Sequence, residues 1–283
     1  MLLGSHLSIA GGLHNALIKA AGHGFEAVAM FVRNQRQWRA APLSDADAAL
    51  FRRTRRELKI GPIVAHGSYL LNLAGNDEVR PKSIEAIVED YGRCRRLGVE
   101  HLVIHPGSNA VQDEGVRMIA DGLAEVLAAC GRGRTKILLE TTAGGGGSIG
   151  GRFENLAAVL RRVRPGRRVG VCLDTCHVFA AGYEIRTREA YDDMWRRFDE
   201  IIGLENLLAI HLNDSKSEFG SHWDRHEHIG RGKIGLEPFR WLANDERFAN
   251  IPMILETPKD LDDDGRDWDE VNAEVLRGLV QAR

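Results

Sequence analysis

The sequence predicts a (β/α)8 TIM barrel with a metal site at the C-terminal mouth of its strands. Three observations carry this. Eight short apolar, β-branched runs are separated by longer, amphipathic stretches. The length of 283 residues suits one such barrel, with 43% hydrophobic residues to fill it. Six of the runs end in, or one residue from, a side chain able to bind a metal ion.

The strand candidates are, in order, Leu2–His6, Ala27–Phe31, Ile63–His66, His101–His105, Lys136–Glu140, Val169–Asp174, Leu207–Leu212 and Met253–Glu256. Helix-like segments such as Lys82–Leu97, Val116–Cys130 and Phe153–Val163 lie between them. A doubly wound open sheet would place a Gly-x-Gly-x-x-Gly turn after the first strand, and Gly11-Gly12 does not match it. No linker, repeat or low-complexity tract divides the chain, so residues 1–283 are expected to form a single domain.

Composition narrows the function classes. No run of about 18 apolar residues is present, so no membrane span is expected. Met1–His6 shows no basic segment leading into an apolar one, so no secretory signal is expected. Cys94, Cys130, Cys172 and Cys176 form no CxxC pair and suit a reducing cytoplasm as buried packing. The net charge of −2 does not mark a general polyanion binder.

In a parallel barrel every strand C-terminus opens on one face. His66, His105, Glu140, Asp174, His211 and Glu256 would therefore converge on one mouth. Asp174 and His177 are spaced so that one turn after a strand presents both, and Asp224 and His226 share one side of an extended segment. Five histidines and four carboxylates exceed the three or four ligands of one zinc site and imply two or three ions. Nitrogen and oxygen donors without thiolate suit zinc, with manganese or iron as substitutes. Several cations at one mouth imply phosphate chemistry, and they turn a locally acidic site positive, which answers the objection from net charge.

Matching stretches run nearly end to end: Gly4-Ser5-His6, Asn34-Gln35-Arg36-Gln37-Trp38, His66-Gly67-Ser68-Tyr69-Leu70, His105-Pro106-Gly107, Glu140-Thr141-Thr142-Ala143-Gly144, Cys172-Leu173-Asp174-Thr175-Cys176-His177, His211-Leu212-Asn213-Asp214-Ser215, Asp224-Arg225-His226 and Leu255-Glu256-Thr257. In these the chain resembles the endonuclease IV family of apurinic/apyrimidinic endonucleases. The resemblance implies a trinuclear zinc centre. His66 and His105 would hold one ion, with Glu140 bridging to a second. Asp174, His211 and Glu256 would complete the second, and His177, Asp224 and His226 the third. It further implies a metal-bridged hydroxide nucleophile and hydrolysis 5′ to abasic sites, giving a 3′-hydroxyl and a 5′-deoxyribose phosphate, with trimming of blocked 3′ ends. The implied partner is double-stranded DNA carrying abasic sites or blocked 3′ ends. Nothing in the sequence argues against a monomer.

Arg36, Tyr69 and Leu70 match residues that probe the duplex in the family; on residue type alone, Arg36 reads as a surface charge and the other two as core. His6 would stand behind the ligands at the same mouth. Thr141 takes the place of the family's asparagine, so a hydroxyl must remake any bond from that amide. Gly144–Gly147 is an unusually glycine-rich loop, and His228 stands where asparagine or a small polar residue is expected. His14, His23, His101 and His222 read as surface or packing residues, and the runs Arg52–Arg56, Arg161–Arg168 and Asp262–Asp264 as solvated faces. A sugar isomerase or epimerase is the alternative, because Glu140, Asp174, His211 and Glu256 alone would satisfy it. It leaves the other five ligand-type residues without a role. A lesion-sensing protein that binds without cutting is the third reading.

Overall fold

The computed structural model describes residues 1–163 and 168–281; the middle of the Arg161–Arg168 run lies outside them. Eight parallel strands close into a barrel. Seven come in order: β1 (Leu2–His6), β2 (Ala27–Phe31), β3 (Ile63–His66), β4 (His101–Ile104), β5 (Lys136–Glu140), β6 (Val169–Asp174) and β7 (Leu207–Leu212). A two-stranded excursion follows, β8 (Asp214–Ser215) and β9 (His226–Glu227), before β10 (Pro252–Leu255) pairs back onto β1 and closes the barrel. Two expected ends move. β4 stops at Ile104 and β10 at Leu255, so His105 and Glu256 each stand one residue beyond a strand.

Alternation along each strand decides what the barrel holds. Ala27, Ala29, Val64, Val103, Leu138, Cys172, Ala209 and Ile254 form a separate apolar cluster, the barrel interior. Their neighbours Val28, Ala65, Leu102, Leu139, Leu173, Ile210 and Leu255 point outward into the layer shared with the helices. Gly4 completes the inner layer, where a Cβ would lie 2.5 Å from the Ala27 carbonyl oxygen. His66, His105, Glu140, Asp174, His211 and Glu256 each follow an interior residue by two positions. The same period-two rule therefore turns all six inward at the mouth.

The surrounding helices are α1 (His14–Gly22), α2 (Asp45–Leu58), α3 (Val79–Leu97), α4 (Gln112–Cys130), α5 (Phe153–Arg162), the short α6 (Thr175–Ala180), α7 (Arg188–Ile201), α8 (Leu236–Ala243) and α9 (Trp268–Leu279). Among the described residues none is long and apolar enough to cross a membrane. Arg52–Arg56 lies on α2, on the outer ring, and Asp262 caps its own exposed loop through Arg266.

The loop after β2 carries Arg36 and is tied to α3. Buried Arg33 donates to Asp90 from Nε at 2.5 Å and to the carbonyls of Gln37 and Trp38 at 2.6 and 3.2 Å. Burial pushes the Asp90 carboxyl up to about 6 against the pull of Arg33, so the pair stays charged at neutral pH. Asp90→Asn leaves the guanidinium buried without its counter-charge. It should cost roughly 3 kcal/mol in urea unfolding; an unchanged midpoint would show that the pair does not hold this loop.

Candidate metal centre

Asp174 closes β6 and also caps α6. Its Oδ1 accepts from the His177 N–H at 2.9 Å, which fixes how the chain turns into the helix and brings His177 back over the mouth. Its other oxygen accepts from Asn213 Nδ2 at 2.7 Å. The Asn213 side-chain oxygen accepts from the Glu256 N–H at 2.9 Å, so one buried amide joins two of the carboxylate-bearing strands. Thr141 answers the departure noted in the sequence. Its hydroxyl accepts from the Asp174 N–H at 2.9 Å, and its carbonyl accepts from His177 Nδ1 at 2.8 Å.

Asp224 and His226 arrive from outside the barrel: His226 opens the returning arm of the antiparallel β8–β9 pair, and Asp224 stands two residues before it. Asp214 holds the loop beyond it by accepting from the N–H groups of Gly230, Gly232 and Ile234. His226 thereby reaches the mouth and donates from Nδ1 to the Glu256 carbonyl at 3.0 Å.

The nine residues meet in overlapping groups. His66, His105 and Glu140 form one, and Glu140, Asp174, His211 and Glu256 another. His177 and His226 lie with Asp174 in a third, and Asp224 and His226 with Cys176 in a fourth; the Nε2 atoms of His177 and His226 are 3.0 and 3.1 Å from the two oxygens of Asp224. Glu140 is central: His66 Nε2 lies 3.2 Å from it, His105 Nε2 3.0 Å and His211 Nδ1 2.8 Å.

Two features fit this donor set to divalent ions. His66, His177 and His226 each donate Nδ1–H to a backbone carbonyl, those of Gly67, Thr141 and Glu256, which leaves each Nε2 bare and facing the cluster. Among the described residues no lysine or arginine pairs with any of the four carboxylates, three of which are wholly or largely buried. Buried carboxylates faced only by imidazoles need a cation. In the protein without ions, protons take that place. Burial alone would raise the Glu140 and Glu256 carboxyls, yet the imidazoles, His211 foremost, hold both well below the usual range. Burial alone would lower His177 and His226, but Asp174 and Asp224 push the first well up and the second to about 9.

His6 sits behind this arrangement, its Nδ1 2.8 Å from Glu256 Oε1. Cys172 is part of the barrel interior, and burial lifts its thiol to about 12, which leaves it protonated packing. Cys176 reaches the Arg225 carbonyl, and burial raises its thiol too. His228, the other departure noted in the sequence, is away from the solvent. It is buried face to face with Trp268, ring centroids 3.7 Å apart, and its Nδ1 lies 3.2 Å from Asn272 Nδ2.

Three of the nine, His105, His177 and Asp224, line a cleft of about 1040 Å3. Tyr69 is 63% exposed and Leu70 39%, so both stand at its rim and neither belongs to the core that residue type alone suggests. Arg36 is exposed on its loop, and its guanidinium has no ion pair among the described residues. A smaller cavity of about 370 Å3, lined by His6, Glu256, His226, Lys259 and Gln35, opens on the other side of Tyr69.

A family model described as a xylose isomerase-like TIM barrel matches residues 17–279. A curated protein of Chloroflexus aurantiacus, named probable endonuclease 4, is 44% identical, with 98% of each chain covered. Endonuclease IV of Thermus thermophilus superposes with a TM-score of 0.88 at 36% identity, covering 99% of this chain and 98% of that one. The chain belongs to the endonuclease IV family. As a member of that metal-dependent family it is a nuclease. A D-tagatose 3-epimerase-like protein, at 22% identity and a TM-score of 0.70 over 99% of this chain and 97% of that one, shares the barrel alone. Sequence reasoning missed Asn213, although it lies inside the His211–Ser215 stretch; a buried amide between two ligand-bearing strands leaves no periodic mark.

Proposed function

We propose that this endonuclease IV family member hydrolyses the DNA backbone 5′ to abasic sites, releasing a 3′-hydroxyl and a 5′-deoxyribose phosphate, and trims blocked 3′ ends. The observation that carries the reading is the set His177, Asp224 and His226, in which both imidazoles face Asp224 beside the other ligand-type residues, at an open cleft. Sugar isomerase chemistry has a use for Glu140, Asp174, His211 and Glu256 and none for that group.

Divalent ions in this N/O donor set, three of them and zinc by preference, would supply Lewis-acid charge to the phosphate and acidify water there. The chain's own part is positional. Glu140 holds the first two groups at a fixed spacing through its contacts with His66, His105 and His211. Asp224 and His226, on a loop beyond the barrel rim, set the third where the departing O3′ must gather charge. Water adds to phosphorus, the P–O3′ bond breaks, and the O3′ leaves with a proton.

Tyr69, Leu70 and Arg36 select the lesion at the rim, because an abasic nucleotide is cheaper to extrude than a paired one. Tyr69→Ala should cut the preference for abasic over intact duplex by about tenfold with bound metal unchanged, read by competition incision. Retained preference would show that Tyr69 does not read the lesion. The reading itself is tested on a labelled duplex with one abasic analogue, beside an undamaged duplex and a chelator-stripped sample. Metal-dependent incision on the 5′ side, leaving an extendable 3′ end, supports it; full metal occupancy without incision removes it.

A further inference from the structure

Trp223 stands immediately before Asp224 and is 64% exposed, while Trp195 and Trp268 are buried and Trp38 and Trp241 partly so. It lines the 1040 Å3 cleft together with His105, His177 and Asp224. Neither face of its indole meets another ring or a cation among the described residues. An indole fixed in the open beside a polar cleft offers a flat apolar face to a planar partner.

The backbone holds this residue in place. The Gly220 N–H donates to the Phe179 carbonyl and the His222 N–H to that of Ala180, just after β6. His222 Nδ1 donates to the Ala143 carbonyl at 2.9 Å, just after β5. His222 itself sits at φ +59°, a left-handed conformation that non-glycine residues seldom adopt. The glycine-rich loop is shaped to admit it: a Cβ on Gly145 would lie 2.4 Å from the His222 carbonyl oxygen. Gly144–Gly147 thus has a job that the sequence left open. It lets the 220–224 segment lie close, with Asp224 turned into the ion cluster and Trp223 turned out.

We propose that Trp223 is a stacking platform for a nucleobase of the DNA strand lying across the cleft. This rests on the nuclease reading and adds a second aromatic contact to it. Tyr69 and Leu70 come from the loop after β3, whereas Trp223 is pinned over the loops after β5 and β6, so the two apolar contacts flank the cluster from different sides. Every base offers a π-face, so such a contact adds affinity without sequence preference, and its rigidity limits the ordering cost on binding.

The test compares Trp223→Ala, Trp223→Leu and Trp223→Phe with the wild-type protein, each with metal content measured. Trp223→Ala and Trp223→Leu should bind an abasic-analogue duplex about tenfold more weakly, with the loss in KM rather than kcat, while Trp223→Phe stays within about threefold. The tryptophan emission that wild-type protein loses on adding duplex should be largely absent from the Trp223→Phe titration. Leucine binding as well as phenylalanine would reduce the residue to bulk and overturn the proposal, as would wild-type affinity in Trp223→Ala. Wild-type protein that neither binds nor cuts the duplex would instead remove the nuclease reading beneath it.

Discussion

Glu140→Gln should lower incision by at least about 10³-fold while the barrel stays folded. Glu140 is fully buried at the end of β5 and is the carboxylate that joins the His66–His105 group to the Asp174–His211–Glu256 group. His66 and His105 approach one of its oxygens and His211 the other, each at 2.8 to 3.2 Å. Glutamine keeps the volume, so no cavity opens and the interior layer of Leu138 and Cys172 below it is undisturbed. What it removes is the charge. An amide has one accepting oxygen and presents N–H groups to the other side, where a cation must sit. The spacing between the first two groups is then no longer fixed, and metal content should fall along with kcat. Circular dichroism and the unfolding midpoint test the fold, elemental analysis the loading, and single-turnover incision the rate. A variant that cuts at near the wild-type rate would show that Glu140 does not join the first two groups.

The positions of these residues were legible because strands have a period of two. Val64 and His66, Val103 and His105, Leu138 and Glu140, Cys172 and Asp174, Ala209 and His211, and Ile254 and Glu256 repeat one spacing, which survives even where β4 and β10 stop a residue early. The helix starts were harder to see. α3 begins at Val79, ahead of the expected Lys82, because Pro81 falls in the first turn, where its missing N–H costs nothing. α4 begins at Gln112, ahead of Val116, across Gly115, which lowers helix propensity but leaves room for Ile149 and Asn109. The β8–β9 hairpin, the amide of Asn213 and the exposed face of Trp223 depend on segments far apart in sequence coming into contact. No local pattern encodes such contacts. The hydroxyl of Thr141 belongs with them, since only the fold shows that the Asp174 N–H is what it must satisfy.

Stripping the ions should abolish incision and destabilise the protein by an amount that grows as pH rises. Without ions the cluster is held by protonated imidazoles between carboxylates. His226 binds its proton more tightly folded than unfolded, so its contribution is complete below the ordinary histidine value of about 6.5 and is lost as pH rises through about 9. His177 and His211, both pushed well up, act in the same direction. Glu140 and Glu256 are held low; their contribution is present above the ordinary value of roughly 4.3 and is lost only in stronger acid. The stripped protein should therefore be most stable between about pH 4.3 and 6.5 and weaken above that range. Ions compete with those same protons, so loading releases them and tightens with pH. At a thousandfold excess over Kd, one class of ion contributes about 4 kcal/mol, on the order of 10 °C in Tm for a chain of this size. Thermal unfolding of loaded and stripped protein at several pH values reads the gap directly. It should widen from mildly acidic to mildly alkaline pH, with proton release visible by calorimetry in buffers of different ionisation enthalpy. A gap that is flat or narrows with pH would mean that the imidazoles of His177, His211 and His226 are not what the ions displace protons from.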